Sequence, residues 1–251
     1  MQLSLVIITL NAAQTLEKCL VSAKSYVNDI IIVDSGSQDE TIPIAISHDA
    51  RVIKQRWLGF GPQKQFAVQQ AQHDWVLCLD SDEWISENLA IEIKERLTIN
   101  NIVAYKIPRC NKFMGRFLRH GEGYPDLSIR LFNRNYAQWS SDLVHEKVIY
   151  NGMIGKLDGE IMHESGESIY LYLEKQNKYT DIQAAEIFTK CKKRVVLNII
   201  ISPIFRFIKF YFLRRGFLDG LPGFVHIIIG CFNTFIKYVK LNELIRKDKF
   251  K

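Results

Sequence analysis

The feature that most constrains this sequence is a repeated alternation in its first hundred residues. Short β-branched, apolar runs end in polar residues, and each is followed by a segment with helical spacing. "LSLVIITL" precedes "TLEKCLVSAKSYV", where Leu16, Leu20, Ala23 and Val27 share one helical face. "DIIIVDS" leads into "SQDE", whose Ser37-to-Glu40 spacing is that of a capping box ahead of Ile42 and Ile46. "RVIKQ" reads as a third strand. "GFGPQKQFAVQQA" reads as a glycine-rich turn entering a helix with Pro62 in its first turn, "DWVLCLDSD" as a fourth strand, and Ser86 as the cap of "ENLAIEIKERL". Strands separated by helices of this length form βαβ units, so an α/β fold is expected, with a mostly parallel central sheet and flanking helices.

In such sheets ligands bind at the carboxyl ends of the strands. Here those ends are polar together: Thr9 and Asn11 after the first strand, Asp34, Ser35 and Ser37 after the second, and Asp80, Ser81, Asp82 and Glu83 after the fourth. The three carboxylates within four residues repel one another unless a cation, a bound polyhydroxyl ligand or solvent takes up their charge. Taken alone, "DSDE" is equally a solvated acidic turn that caps the next helix. A dinucleotide-binding fold would place GxGxxG after the first strand, and a nucleotidyltransferase would open there with a glycine-rich basic signature; "TLNAAQTLEK" supplies neither. The "GFGPQKQ" turn suits phosphate at a helix N-terminus, where Lys64 adds positive charge.

Composition narrows the class further. A chain of 251 residues with 47% hydrophobic and 24% charged residues can bury a full core. Its five cysteines, Cys19, Cys78, Cys110, Cys191 and Cys231, never pair as CxxC, so a reducing cytosol is expected rather than a disulfide framework or a zinc site. The N-terminal apolar run lacks a basic flank and is short, which argues against secretion. The net charge of +6 conceals a division: from Lys190 onward there are 14 Lys and Arg against 3 Asp and Glu, while the preceding residues carry 19 against 24.

The ordered set "VIITLN", "IIIVDSGSQDET", "GFGPQKQFA" and "CLDSDE" resembles the glycosyltransferase family 2 enzymes of GT-A fold. Further on, "YPDLSIRLFNR", "VHEKVIYNG" and "IMHES" resemble a bacterial subgroup within it, the lipopolysaccharide core β-1,4-glucosyltransferases that act on inner-core heptose. The resemblance implies a UDP-sugar donor, UDP-glucose, and inverting transfer to a lipid-linked, heptose-containing acceptor with help from Mg²⁺ or Mn²⁺. It implies Asp82 as principal metal ligand, with His163 reaching the metal or diphosphate. Thr9, Asn11, Asp34, Asp80 and Ser81 fall on the nucleotide-sugar side. Inverting displacement needs one carboxylate as general base, and Glu146 and Asp126 are both candidates. The Glu146 segment sits where the family supplies its base, although His-Glu stands where many relatives have an acidic pair. Asp126 is otherwise an ion-pair residue, for instance with Arg130. His145 is a candidate for orienting its neighbour or the acceptor. Trp84, Trp139, Tyr124 and Phe132 are sugar-stacking surfaces or core. A non-catalytic nucleotide-sugar or glycan-binding module, or a transferase for another surface glycan, is the alternative.

Two regions are expected: a GT-A domain over 1–185 and a basic amphipathic helical region over 186–251. In the second, cations interleave with apolar runs rather than with the polar, glycine-rich spacing of a nucleic-acid arm. The first run is interrupted by Asn198, Pro203, Arg206 and Lys209, and the second is short against roughly 30 Å of hydrocarbon. Helices lying on an anionic membrane surface are therefore expected, held by Arg206, Lys209, Arg214 and Arg215 with their apolar neighbours, on the cytoplasmic face of the inner membrane. The alternative is packing on the catalytic domain or on a second subunit.

Overall fold

The strands Leu3–Thr9, Asp29–Asp34 and Trp75–Asp80 are apolar on both faces because both faces are covered, whereas the edge strand Arg51–Lys54 is charged at both ends and partly exposed. In the computed structural model, which describes residues 2–97, 101–142, 146–166, 168–190 and 196–249, β1 (Leu3–Thr9), α1 (Leu16–Lys24), β2 (Asp29–Asp34), α2 (Thr41–Ser47), β3 (Arg51–Lys54), α3 (Phe60–Gln69) and β4 (Trp75–Asp80) follow in turn. Alternate side chains feed two cores. Leu3, Leu5, Ile7, Ile30, Ile32, Leu77 and Leu79 join one, while Val6, Ile31, Val33, Val76 and Cys78 join the other. Each such burial is worth about 1.5–3 kcal/mol relative to exposure.

β5 (Glu83–Ile85), α4 (Glu87–Arg96), β6 (Ile102–Phe113), β7 (Arg116–Phe117), β8 (Asp126–Asn133), β9 (Ala137–Trp139), β10 (Val148–Tyr150), β11 (Met153–Lys156) and β12 (Ile161–His163) complete the β structure. The main sheet runs β3-β2-β1-β4-β8-β6-β12-β5. Its first four strands are parallel, as the alternation predicts. Beyond β4 the sheet becomes mixed, because β8 runs antiparallel to both β4 and β6, and β12 antiparallel to β5. β9 and β10 form a separate antiparallel pair. Ser86 caps α4 as expected, accepting from the Leu89 N–H at 3.2 Å. The capping box at α2 does not form. Ser37 turns back to Asp34, and Asp39 serves the helix start instead, accepting from the Thr41 N–H at 3.1 Å.

The chain divides into two compact units, Met1–Cys110 with Asp126–Glu164, and Asn111–Pro125 with Ser165–Lys251. The boundary expected at 185/186 thus falls inside α5 (Ile169–Lys190), which belongs wholly to the second unit. That unit adds α6 (Val196–Phe207), a π-helical continuation over Ile208–Leu213, a 3₁₀ turn over Gly216–Asp219 and α7 (Gly220–Lys249). Ala184 and Leu241 pack with Ile187, Phe188, Tyr238, Leu244 and Ile245 to join α5 to α7. Asn198, Pro203, Arg206 and Lys209 do not interrupt the helix from Val196 to Leu213, and α7 is 30 residues long, or about 45 Å. Both Val196–Leu213 and Gly216–Asp248, with mean hydropathies of 1.7 and 1.3, are therefore long and apolar enough to cross a membrane by length and composition. The short second run of the sequence lies within a longer helix.

Arg206 departs from its expected role at a lipid surface. It is turned inward, donating from Nε to Glu122 Oε2 at 3.0 Å and from Nη1 to Thr234 Oγ1 at 2.7 Å. A half-buried guanidinium needs such partners. Lys209, Arg214 and Arg215 are exposed, alongside Leu197, Ile200, Ile204, Phe205, Phe212 and Leu213.

Candidate active site

Asp80 is the last residue of β4, Ser81 and Asp82 form the turn, and Glu83 opens β5. The charge of this cluster is met mainly by the protein itself. Glu83 is fully buried; its Oε2 accepts the Asp80 N–H at 2.9 Å, and its Oε1 lies 3.1 Å from Arg130 Nη2 and 3.3 Å from Arg109 Nη1. Asp80 takes Arg130 on Oδ2 at 2.8 Å and Lys64 on Oδ1 at 2.9 Å. Burial alone pushes the Asp80 carboxyl up, but the Arg130 and Lys64 charges outweigh it and hold the group well below the usual carboxylate range. Burial likewise disfavours charged Arg130, and Asp80 and Glu83 more than restore it. Sequence reasoning missed Arg109, Arg130 and the structural part of Glu83, since nothing in their spacing links them to "DSDE". They meet only because β8 lies beside β4 in the sheet and β6 beside β8.

Asp82 is different. Its ion-pair partner among the described residues is His163, with Asp82 Oδ2 3.2 Å from His163 Nε2. β12 delivers that histidine: His163 stands opposite Glu83 in the antiparallel register, and the Glu164 N–H bonds the Asp82 carbonyl at 3.1 Å. The turn before β12 is fixed on α4, where Ser86 Oγ accepts the Glu160 N–H at 3.1 Å and Glu92 Oε2 accepts the N–H groups of Asp158 and Gly159 at 2.8 and 3.0 Å. Gly159 is required there, because a Cβ would sit 2.3 Å from Leu89 Cα. The described residues contain no ready-made group of three His, Cys, Asp or Glu ligands. A hard divalent ion commonly takes one or two carboxylates and completes its shell with substrate phosphates and water, and the Asp82–His163 pair suits that arrangement.

The ends of β1 and β2 form one hydrogen-bonded cluster. Asp34, fully buried, accepts Thr9 Oγ1 at 2.9 Å, Ser37 Oγ at 2.5 Å, and the N–H groups of Gly36 and Ser37 at 2.9 and 2.8 Å. Burial pushes its carboxyl up, yet the bonds from Ser37, Gly36 and Thr9 together bring it below the ordinary aspartate value. Asn11, at φ 50°, ties the same loop, its Oδ1 accepting the Gln38 N–H at 2.9 Å. Thr9, Asn11 and Asp34 are thus brought together as the sequence implies, with the Asp34 carboxylate occupied in shaping the loop.

Lys64 is not presented as a free phosphate ligand. It is 5% exposed, and its ammonium is shared between Asp80 and Glu146 Oε1, the latter at 2.7 Å. The indole of Trp139 lies 4.9 Å from it and 5.8 Å from the Arg130 guanidinium. Of the glycines of "GFGPQK", Gly59 takes φ 99° ahead of α3 and Gly61 serves close packing: the Gly61 N–H donates to the Asp142 carbonyl at 3.1 Å, and a Cβ on Gly61 would lie 2.2 Å from the Ser140 carbonyl oxygen. Asp126 opens β8 and pairs with Arg109 Nη2 at 2.7 Å, not with Arg130. Glu146 lines a cleft of about 400 Å³ together with Arg109, Arg130 and Trp139. Phe132 and Trp139 are buried, Trp84 lies under the Lys18 ammonium at 3.3 Å, and His145 is outside the described residues.

The mixed sheet with flanking helices is of the GT-A kind, and its strand ends gather the Asp80–Glu83 turn, His163 and the cleft beside Glu146. Residues 4–154 match the model of glycosyl transferase family 2, and the chain belongs to that family. A glycosyltransferase of Rickettsia typhi is 33% identical over 260 residues, covering 99% of this chain and 89% of its own. The lipopolysaccharide core biosynthesis glycosyltransferase LpsC of Rhizobium meliloti is 28% identical over 249 residues, 96% of this chain and 92% of its own. Among solved structures, Staphylococcus aureus TarS 1–349 shares the fold with a TM-score of 0.51 at 17% identity, covering 95% of this chain and 81% of that one.

Proposed function

We propose that the protein is an inverting hexosyltransferase that moves glucose from UDP-glucose to a heptose of a lipopolysaccharide or lipooligosaccharide core. The observation that carries the reading is the contrast within the acid cluster. Asp80 and Glu83 are bound by lysine and arginine, while the Asp82 carboxylate pairs with His163 among the described residues. Asp82 and His163 would hold Mg²⁺ or Mn²⁺, which when bound supplies neutralisation of the departing diphosphate. Thr9, Asn11 and the loop shaped by Asp34 bound the nucleotide side, with Asp80 and Ser81 beside the ribose. TarS has been solved with UDP-GlcNAc, which supports a nucleotide sugar on this fold, and the name of LpsC supports a core acceptor.

Glu146 serves as general base: it takes the proton of the acceptor hydroxyl as that oxygen bonds to the anomeric carbon and the bond to the diphosphate breaks, inverting the centre. Lys64 holds the carboxylate by Oε1. The exposed apolar faces of α6 and α7, flanked by Lys209, Arg214 and Arg215, rest on the anionic cytoplasmic surface of the inner membrane, where a lipid-linked acceptor is presented.

A panel of sugar nucleotides offered with a heptose-containing lipid acceptor, with products analysed by mass spectrometry and linkage analysis, tests the reading. Metal-dependent transfer of one hexose to heptose is expected; transfer undiminished by EDTA, or no transfer from any donor, overturns it.

A further inference from the structure

The cleft beside Glu146 carries more positive charge than a neutral sugar requires. Lys106, Arg109, Arg130 and Lys147 stand on its wall, against one lining carboxylate, Glu146 itself. Three charge pairings are already accounted for: Arg109 by Glu83 and Asp126, Arg130 by Asp80 and Glu83, and Glu146 by Lys64. Lys106, from β6, and Lys147, just before β10, remain. Both are exposed, and neither has an acidic partner within salt-bridge distance among the described residues. Sugar hydroxyls alone would be bound as well by amides and carboxylates. Two unneutralised ammonium groups in a concavity concentrate an anion, and ionised acceptors form the shorter, stronger hydrogen bonds with them.

We propose that the acceptor carries an anionic group, a phosphate ester or a sugar carboxylate, close to the hydroxyl that is glycosylated, and that Lys106 and Lys147 receive it. This rests on the reading of the cleft beside Glu146 as the acceptor site of a glycosyltransferase. The consequence is an order of events: the reaction that installs the charged group on the acceptor precedes this transfer, and an uncharged acceptor is a poor substrate.

The test uses three probes on the full chain with UDP and Mn²⁺ present: a neutral heptose glycoside, the same glycoside bearing a phosphate monoester, and the same glycoside linked to a carboxylated sugar. Calorimetric titration against wild type and the K106Q/K147Q double variant, with thermal midpoints as the check on folding, gives the answer. At least one charged glycoside is expected to bind about tenfold more tightly than the neutral one, the gain of one charge-assisted contact set, and to lose that advantage in the variant. The two charged arms separate phosphate from carboxylate. Equal affinity for all three, no measurable binding of the charged glycosides, or a preference that survives loss of both lysines overturns the proposal. So does a variant whose loss is in UDP affinity, since the lysines would then serve the donor. Failure of the transferase reading is distinct: it shows as no turnover of any nucleotide sugar, with any acceptor.

Discussion

Lys64 Nζ stands 2.9 Å from Asp80 Oδ1 and 2.7 Å from Glu146 Oε1, joining the strand end of the DxD turn to the carboxylate of the neighbouring cleft. Glu146 is therefore oriented by the same side chain that neutralises Asp80. Replacing it with Gln keeps size and a hydrogen-bonding oxygen while removing the proposed base. A loss of turnover of roughly 10²- to 10⁴-fold is expected, with UDP affinity retained, as measured by initial rates and calorimetry. If Asp126→Asn shows that pattern while Glu146→Gln remains active, the base is Asp126.

Asp82 and His163 are expected to act together on the metal. Asp82→Ala should abolish transfer, and His163→Ala should raise the Mn²⁺ concentration for half activity by about 10-fold or more, in the range lost when metal-site groups are removed. The Asp82 side chain is 29% exposed in a polar turn, so thermal midpoints should change little. A His163 variant with unaltered Mn²⁺ dependence would remove that residue from the metal site.

Arg130 answers for two carboxylates, one of them fully buried. Arg130→Met leaves Glu83 with Arg109 alone, and removing one partner of a buried ion pair costs roughly 3–5 kcal/mol. Urea titration should show this loss, with a smaller one for Glu83→Gln/Arg130→Met together. Equal stability of the single variant and wild type would mean that the network contributes nothing.

Acid should destabilise the fold through Asp80 and Asp34. Both carboxyls are depressed in the folded chain, so their contribution is complete above the ordinary aspartate pKa of about 3.9 and is lost as pH falls below it toward the folded values. Asp34→Asn should flatten that part of the stability profile. An unchanged slope below pH of about 4 would contradict the assignment.

Vesicle co-sedimentation tests the helical unit. Changing Lys209, Arg214 and Arg215 to Gln should weaken binding to anionic vesicles by on the order of 1 kcal/mol for each charge at low salt. Arg206→Gln should instead lower thermal stability, because Glu122 and Thr234 lose their partner. Binding indifferent to anionic lipid would leave these helices as packing elements.

The parallel half of the sheet was legible because its strands are local: an apolar run, a polar end and a helix with its own periodicity. The converging strand ends of β1, β2 and β4 followed from the same pattern. Arg109 and Arg130 were illegible because antiparallel pairing of β8 with β4 and β6 has no local signature, and it is this pairing that brings them to Glu83. The phosphate reading of Lys64 followed helix-terminus chemistry, and a buried ammonium with two carboxylates within reach overrides it. The second apolar run was measured by its uninterrupted residues, whereas a helix tolerates single polar positions and α7 continues through them.

The chain leaves the first unit at Cys110, re-enters it at Asp126, and leaves again after Glu164. The 111–125 excursion is fastened to the C-terminal helices: the Gly121 N–H bonds the Arg214 carbonyl at 2.9 Å, Glu122 is held by Arg206, and Asp219 accepts the N–H groups of Arg119 and His120 at 3.0 and 2.8 Å. The C-terminal region is consequently not a detachable tail. A gene truncated after Glu164 would still encode Asn111–Pro125, now an orphaned loop with a stranded Glu122 carboxylate and three backbone amides stripped of their acceptors. Shortening this protein to its first unit requires two cuts and a splice, and a natural relative without the helices must also have rewritten the middle of its sequence.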